Sequence, residues 1–384
     1  MGAHGVIYLD NAATTFPKPL EVVRAVEECL QHYAVNAGRG IYPLARRADE
    51  VIVAARYKCR SLLGFAEGKL IFTASATHAL NQILLGLTWH RGDVVYVSPF
   101  EHNAVARVLH HLEGTVGVEI RQLAVDRNTL SYDLEEIEKQ FFACPPKALV
   151  ISHVSNVCGV IAPLRELAAM TKKYQGLVIV DGAQGGPMLA HTVRGDIDFY
   201  VFSGHKTFYG PFGAAGFWTH GQVPLQPLLF GGTGSKSEEM AMPEELPDRY
   251  EAGSHNVVAI AGLQAACDWL AAIGPQVIMK HERELALRLV EGLSCVPTVK
   301  VYTNPNVNCQ AGIISFTVVG YTAQEVAMIL AQNYNIAVRA GLHCAPYVHR
   351  FLGTLPHGTV RVSFGYFNTI EDVDALLQAV EEIV

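Results

Sequence analysis

The 384-residue chain has no run of about 18 consecutive apolar residues, although half of it is hydrophobic, so no membrane-spanning helix is expected. Its first residues, MGAHGVIYLDNAATT, lack the basic start and apolar stretch of a secretory leader. Val6 stands where a myristoylation signal requires Ser or Thr. Lys/Arg-rich runs are missing, and the formal net charge is -7, which argues against nucleic acid as the main partner. The eight cysteines (Cys29, Cys59, Cys144, Cys158, Cys267, Cys295, Cys309 and Cys344) form no C-x-x-C pair and no zinc-like spacing. The 16 histidines form no H-E-x-x-H, so no metal site is expected. Scattered thiols of this kind read as reduced cysteines in a cytoplasmic protein. Internal repeats and low-complexity segments are absent from the sequence.

What is present is a rhythm of apolar strands and amphipathic helices. Val22, Val26, Cys29, Leu30 and Tyr33 recur at helical spacing, which predicts a helix over about 19–33. A second is expected over about 44–63, closed by Gly64. KLIFTASATHALN reads as strand, tight turn, helix. KALVISHVSN, GLVIVDGAQ and DFYVFSGHK are near-continuous apolar strands with polar ends, separated by the amphipathic LRELAAMTKKY. Such alternation predicts a mostly parallel sheet covered on both faces. Ligands bind beyond the carboxyl ends of strands in these sheets. Asn156, Asp181, Gln184, Ser203, His205 and Lys206 all fall at such ends. Residues 232–250 read as a long polar loop. The C-terminal part is a smaller α+β unit, in which Thr322 with Glu325 marks a capping box.

Lys206 follows an apolar strand and precedes a glycine-rich turn. A phosphate loop needs Gly directly before the lysine and another five residues before that Gly. His205 and Tyr200 occupy those positions, so that reading fails. The choice lies between a solvated surface lysine and a lysine that bonds a carbonyl cofactor, pyridoxal 5'-phosphate (PLP). The second reading demands an acid for the pyridine nitrogen, a phosphate site at a helix N-terminus and a neighbour for the ring face. Asp181, the Ala76–Thr77 turn and His102 can fill these places. Each alone has an ordinary explanation as a cap or loop residue; together they form one site.

The stretches YLDNAATT, NAGRGIYPLA, FTASATHALN, EHNA, SHVSNVCG, VDGAQ, FSGHKTFYGPFG, YEAGSHN, RAGLHCAP and VRVSFGYFNT resemble, in order, those of the class V aminotransferase family, within its cysteine desulfurase branch. GLHCAP and GYFNT are more similar to SufS-like desulfurases and selenocysteine lyases than to the NifS/IscS-like group. The resemblance implies a PLP-dependent fold type I: a mostly parallel seven-stranded sheet in a large domain (16–264) and a smaller α+β domain (1–15 and 265–384) carrying the Cys344 loop. It implies that Lys206 bonds PLP and moves the substrate Cα proton, and that Asp181 pairs with the pyridine nitrogen. Gln184 would bond the ring hydroxyl, His102 and Ala183 would cover the two ring faces, and Asn156 would lie near the ring oxygen and the substrate. Ala76, Thr77, Ser203 and His205 would hold the phosphate. Ser254 matches a position that reaches the neighbouring subunit's phosphate, which implies a homodimer. Arg361 would clamp the substrate carboxylate, with Arg339, Asn36 and Ala13 nearby.

Several positions depart from the family pattern. HKTFYGP has one residue more than H-K-x-Y-G-P. Gly38 and Tyr42 stand where histidines are common, Leu342 stands where H-H-C is common, and His78 replaces an acid. All sit toward the substrate side. The implied reaction converts L-cysteine to L-alanine, with a persulfide formed on Cys344 and passed to an acceptor protein or small thiol. His343 and His102 are the visible candidates for activating Cys344. The alternatives are a selenocysteine lyase, a C–S lyase, an aminotransferase and a non-catalytic scaffold; intact Lys206, Asp181 and Arg361 argue against the last. Cys29, Cys59 and Cys267 are expected to pack on helices, and Cys158 to be a small core residue.

Overall fold

A computed structural model describes residues 5–38, 40–192, 196–234 and 238–384. The chain enters through a short strand, β1 (Ile7–Tyr8), then α1 (Leu20–His32) and α2 (Pro43–Leu62). These helices lie within one residue of the expected ranges. α1 turns Val22 and Cys29 inward, and α2 buries Ala45, Ala48, Ile52, Ala55 and Cys59 at helical spacing.

The central sheet is built from β2 (Lys69–Thr73), β3 (Val94–Val97), β4 (Glu119–Gln122), β5 (Ala148–Ser152), β6 (Leu177–Asp181), β7 (Phe199–Ser203) and β8 (Ala215–Thr219). Helices α3 (Ala76–Gly86), α4 (Asn103–Thr115), α5 (Leu134–Ala143) and α6 (Leu164–Lys173) alternate with its strands. The spatial order is β2-β8-β7-β6-β5-β3-β4. Pairing is parallel from β7 through β6, β5 and β3 to β4; only β8 runs against its neighbours. Every residue of β3, β5 and β7 is buried, as expected for strands covered on both faces. Alternate side chains feed two cores. One face packs Tyr96, Leu149, Val180 and Phe202 against α2 and α7 (Val257–Ile273); the other packs Val95, Val150, Ile179 and Val201 against α3 and α4.

After α7 the chain builds a separate core. α8 (Pro275–Ser294), α9 (Ala323–Asn333) and α11 (Ile370–Ile383) cover a sheet of β9 (Val299–Tyr302), β10 (Ile313–Val318), β12 (Arg339–Gly341) and β13 (Thr359–Ser363), ordered β12-β13-β10-β9. Thr322 and Glu325 form the expected capping box on α9. The N-terminal segment joins this unit: β1 pairs in parallel with β11 (Ile336–Ala337), and Asp10 bridges to Ser363. α10 (Pro346–Leu352) follows the segment that carries Cys344. Among the described residues no single helix is long and apolar enough to cross a membrane.

Candidate functional site

Because β5, β6 and β7 run parallel, their carboxyl ends open on one side. Ser152 closes β5 and sits opposite Asp181, the last residue of β6; Ser203 closes β7. The three ends, the first turn of α3, the start of α4 and the turn after β7 enclose one pocket. Ala76, Thr77, His102, Asn156, Asp181, Ala183, Gln184, Ser203, His205 and Lys206 all line it, so ten sequence-selected residues separated by up to 130 positions meet there.

Local geometry fixes each of them. Gly204 passes so close to Ala214 that a Cβ would stand 2.2 Å from its carbonyl oxygen, and the Gly204 N–H donates to that oxygen at 3.0 Å. Glycine is therefore required between Ser203 and His205. The His205 carbonyl accepts from the Thr15 N–H (3.1 Å), the Thr14 hydroxyl (2.9 Å) and Lys18 Nζ (2.9 Å), so the N-terminal segment pins the turn bearing Lys206. Tyr209 adopts φ +58° and donates its N–H to the Lys206 carbonyl at 2.8 Å. Asp181 is buried and its Oδ1 accepts the Ala183 N–H at 3.0 Å. Gln184 Nε2 donates to the Ala12 carbonyl at 2.7 Å, which places neighbouring Ala13 beside this wall.

His102 is the N-cap of α4: its Nδ1 accepts the Ala104 N–H at 3.0 Å, leaving Nε2 as the protonated nitrogen of the neutral ring. Burial lowers its pKa to about 4, so the ring is neutral at pH 7. Burial likewise pushes Lys206 down to about 8, with the Asp181 carboxylate opposing part of that shift. His205 falls to about 4 by burial. Below these groups Glu101 is fully buried. It accepts from the Ser98 hydroxyl (2.6 Å), the Ser152 N–H (2.9 Å) and the Ser152 hydroxyl (2.8 Å), yet burial still raises it to about 7.

Arg361 comes from β13. It is 1% exposed; Nη1 donates to the Asn156 carbonyl at 3.0 Å and Nη2 to Asp10 at 2.5 Å, while Nε has no partner. Its guanidinium is thus already half engaged, with Asp10 as its counter-ion. Asn156 Nδ2 donates to the His343 carbonyl at 2.8 Å, and its buried Oδ1 is unsatisfied. This bond ties the pocket to the Cys344 segment. The Asn103 N–H adds a second tie, to the Cys344 carbonyl at 2.7 Å. His343 (φ +48°) and Cys344 (φ +57°) are both left-handed, a conformation that costs of order 1 kcal/mol each and needs such anchors. His343 Nε2 donates to the Thr359 carbonyl at 3.0 Å, and burial holds its pKa down at about 2. It is a buried neutral anchor of the loop. Cys344 is exposed, with its Sγ 3.8 Å from Arg339 Nη2.

Two selected residues lie elsewhere. Asn36 and Ser254 line a different cleft of the same chain, with Arg56, Glu251 and His255. There Glu251 accepts from Arg56 (2.6 and 2.8 Å), the Phe72 N–H and His255. Sequence reasoning missed Asp10, Glu101 and Ser152. Asp10 and Ser152 end apolar runs, which was a usable signal; Glu101 was hidden beside the more conspicuous His102. Cys29, Cys59, Cys158 and Cys267 are buried, as expected of packing thiols.

The Aminotransferase class-V family matches residues 7–376. A probable cysteine desulfurase of Methanothermobacter thermautotrophicus is 33% identical over 383 residues, covering 98% of this chain and 94% of that protein. A cysteine desulfurase of Haloferax volcanii is 31% identical, covering 98% and 89%. Among solved structures, the apo cysteine desulfurase of Thermococcus onnurineus NA1 superimposes with a TM-score of 0.91 at 32% identity, covering 99% of this chain and 94% of that one.

Proposed function

Since the chain belongs to the aminotransferase class-V family, we propose from that premise and from the pocket geometry that it is a PLP-dependent cysteine desulfurase, converting L-cysteine to L-alanine and carrying the sulfur away on Cys344. One observation carries the reading. Lys206 and Asp181 share a pocket whose wall, through Asn156, holds the segment of an exposed cysteine. The relatives' descriptions favour this over the lyase, aminotransferase and scaffold alternatives.

The residues fit PLP. Ser75 caps α3 through the His78 N–H, and the first-turn amides of Ala76 and Thr77 have no partner within a helix, which suits a phosphate. His205 Nδ1 and Asn156 Oδ1 are buried polar atoms without partners, beside the places where phosphate and ring oxygen would lie. Lys206 would bond the cofactor, Asp181 would face its pyridine nitrogen, Gln184 its ring hydroxyl, and His102 and Ala183 its two faces. Bound PLP supplies the electron sink that makes the substrate Cα–H acidic.

This chain's own groups do the rest. Arg361, whose buried Nε has no partner within the chain, would bind the substrate carboxylate, with Arg339 adding charge. Lys206, uncharged above about pH 8, takes the Cα proton and returns it to the product. Cys344 Sγ, as thiolate, bonds the substrate sulfur; the C–S bond breaks with its electron pair left toward Cβ, which takes up a proton to become the methyl group of alanine, and the sulfur stays on Cys344 as a persulfide. Residues 16–264 form the cofactor-carrying unit, and residues 1–15 with 265–384 the unit that carries the Cys344 loop. A homodimer is part of the proposal: the Asn36–Ser254 cleft then supplies Ser254 to the partner subunit's phosphate site. Purified protein incubated with L-cysteine and a thiol reductant should release alanine and sulfide in equal amounts; pyruvate in place of alanine would sink the reading.

A further inference from the structure

A groove distinct from the Lys206 pocket opens on the outer side of Cys344. It lies between α4 and the segment running from Leu342 into α10, and Leu342 and Cys344 both line it. Arg107 from α4 and Arg350 from α10 flank it, both exposed. Neither is joined to any described residue by an ion pair or a side-chain hydrogen bond. The groove's one carboxylate, Glu113, is already engaged by His110 at 3.3 Å. Arg339 approaches Cys344 Sγ from the same loop. Two exposed, unpaired guanidiniums therefore line the same groove as Cys344, with a third, Arg339, beside its sulfur.

We propose that this groove receives the sulfur acceptor, and that the acceptor is a low-molecular-mass thiol bearing a carboxylate or sulfonate; this rests on the desulfurase reading above. Guanidiniums recognise carboxylate and sulfonate oxygens as paired donors. They also solve an electrostatic problem. The acceptor attacks as a thiolate on a negatively charged persulfide, so an anionic acceptor is repelled unless fixed cations line its approach. The step balances without an oxidant. The acceptor thiolate bonds the outer sulfur of the Cys344 persulfide, the sulfur–sulfur bond breaks, and its electron pair returns to Cys344 Sγ. The acceptor leaves as its own persulfide.

The test loads the holoenzyme with one equivalent of L-cysteine and follows loss of the Cys344 persulfide to three thiols of similar size. These are 2-mercaptoethanesulfonate (anionic), 2-mercaptoethanol (neutral) and cysteamine (cationic). Each rate is divided by the same thiol's rate with a free small-molecule persulfide. The anionic thiol should be favoured over the cationic one by about tenfold at low salt, and less at high salt. In R107A/R350A the preference should fall to near unity, while the single-turnover alanine yield reports that the Lys206 pocket is intact. Equal normalised rates in the parent protein, or a preference that survives R107A/R350A, would overturn the proposal alone. Absence of single-turnover alanine would overturn the desulfurase reading and the acceptor proposal with it.

Discussion

Arg339 and Arg361 stand directly opposite each other on the antiparallel strands β12 and β13. Like charges in that relation repel, and Asp10 compensates only one of them. Burial, with a contribution from Arg339, also lowers the pKa of Arg361. The surplus positive charge also helps hold the Lys206 pKa down, and a bound anion would relieve it.

Arg361→Lys should therefore lower kcat/KM for L-cysteine about a hundredfold, ~2.7 kcal/mol, mainly through KM, because an ammonium cannot reproduce the fork. Arg339→Ala should cost about tenfold. Steady-state alanine formation measures both. An unchanged KM in Arg361→Lys would show that the substrate carboxylate binds elsewhere.

Lys206 provides a pH prediction. Its folded pKa is lowered from 10.5 to about 8, so the amine is free above pH 8 and protonated below. Only the free amine attacks the cofactor aldehyde. The rate at which apoprotein takes up PLP, followed by growth of its visible absorbance, should rise about tenfold per pH unit below 8 and level off above it. Lys206→Ala should bind PLP only reversibly. A rate that is flat across pH 8 would contradict this account of the pocket.

Glu101 is raised from 4.5 to about 7, the opposite of a paired surface acid. Between those values the folded state holds a proton that the unfolded state has lost. Stability must therefore fall as pH rises from about 4.5 to 7 and then flatten with respect to this group. Glu101→Gln should remove that slope in denaturant titrations across the range. Because Glu101 holds Ser152 rather than any reacting atom, the variant should retain cofactor absorbance. A slope identical to the parent's would place the titration on another group.

The sheet was legible because burial on both faces forces continuous apolar runs, as in KALVIS and LVIVD, and because polar residues at strand ends mark the ligand side. Lys206, Asp181 and His102 could be assigned to one place for that reason. Contacts between distant segments were not legible. Nothing local to Asp10 announces that it will neutralise Arg361, 351 positions away. His102 was expected as a ring neighbour, yet its role as the α4 cap depends on where a helix begins, which periodicity locates poorly. His343 looked like a candidate base beside Cys344. Its burial and its bond to Thr359 follow from the left-handed turn, which a His-Cys pair does not advertise. Asn36 lies outside the Lys206 pocket of its own chain, in the cleft that also holds Ser254; only for Ser254 did the motif resemblance point to a neighbouring subunit's site.

The most direct test is the fate of cysteine sulfur in Cys344→Ser. The account predicts wild-type PLP absorbance in this variant, no protein-bound persulfide by mass spectrometry after addition of L-cysteine, and alanine formation reduced at least about a hundredfold. Desulfuration of cysteine by Cys344→Ser at the wild-type rate would contradict it.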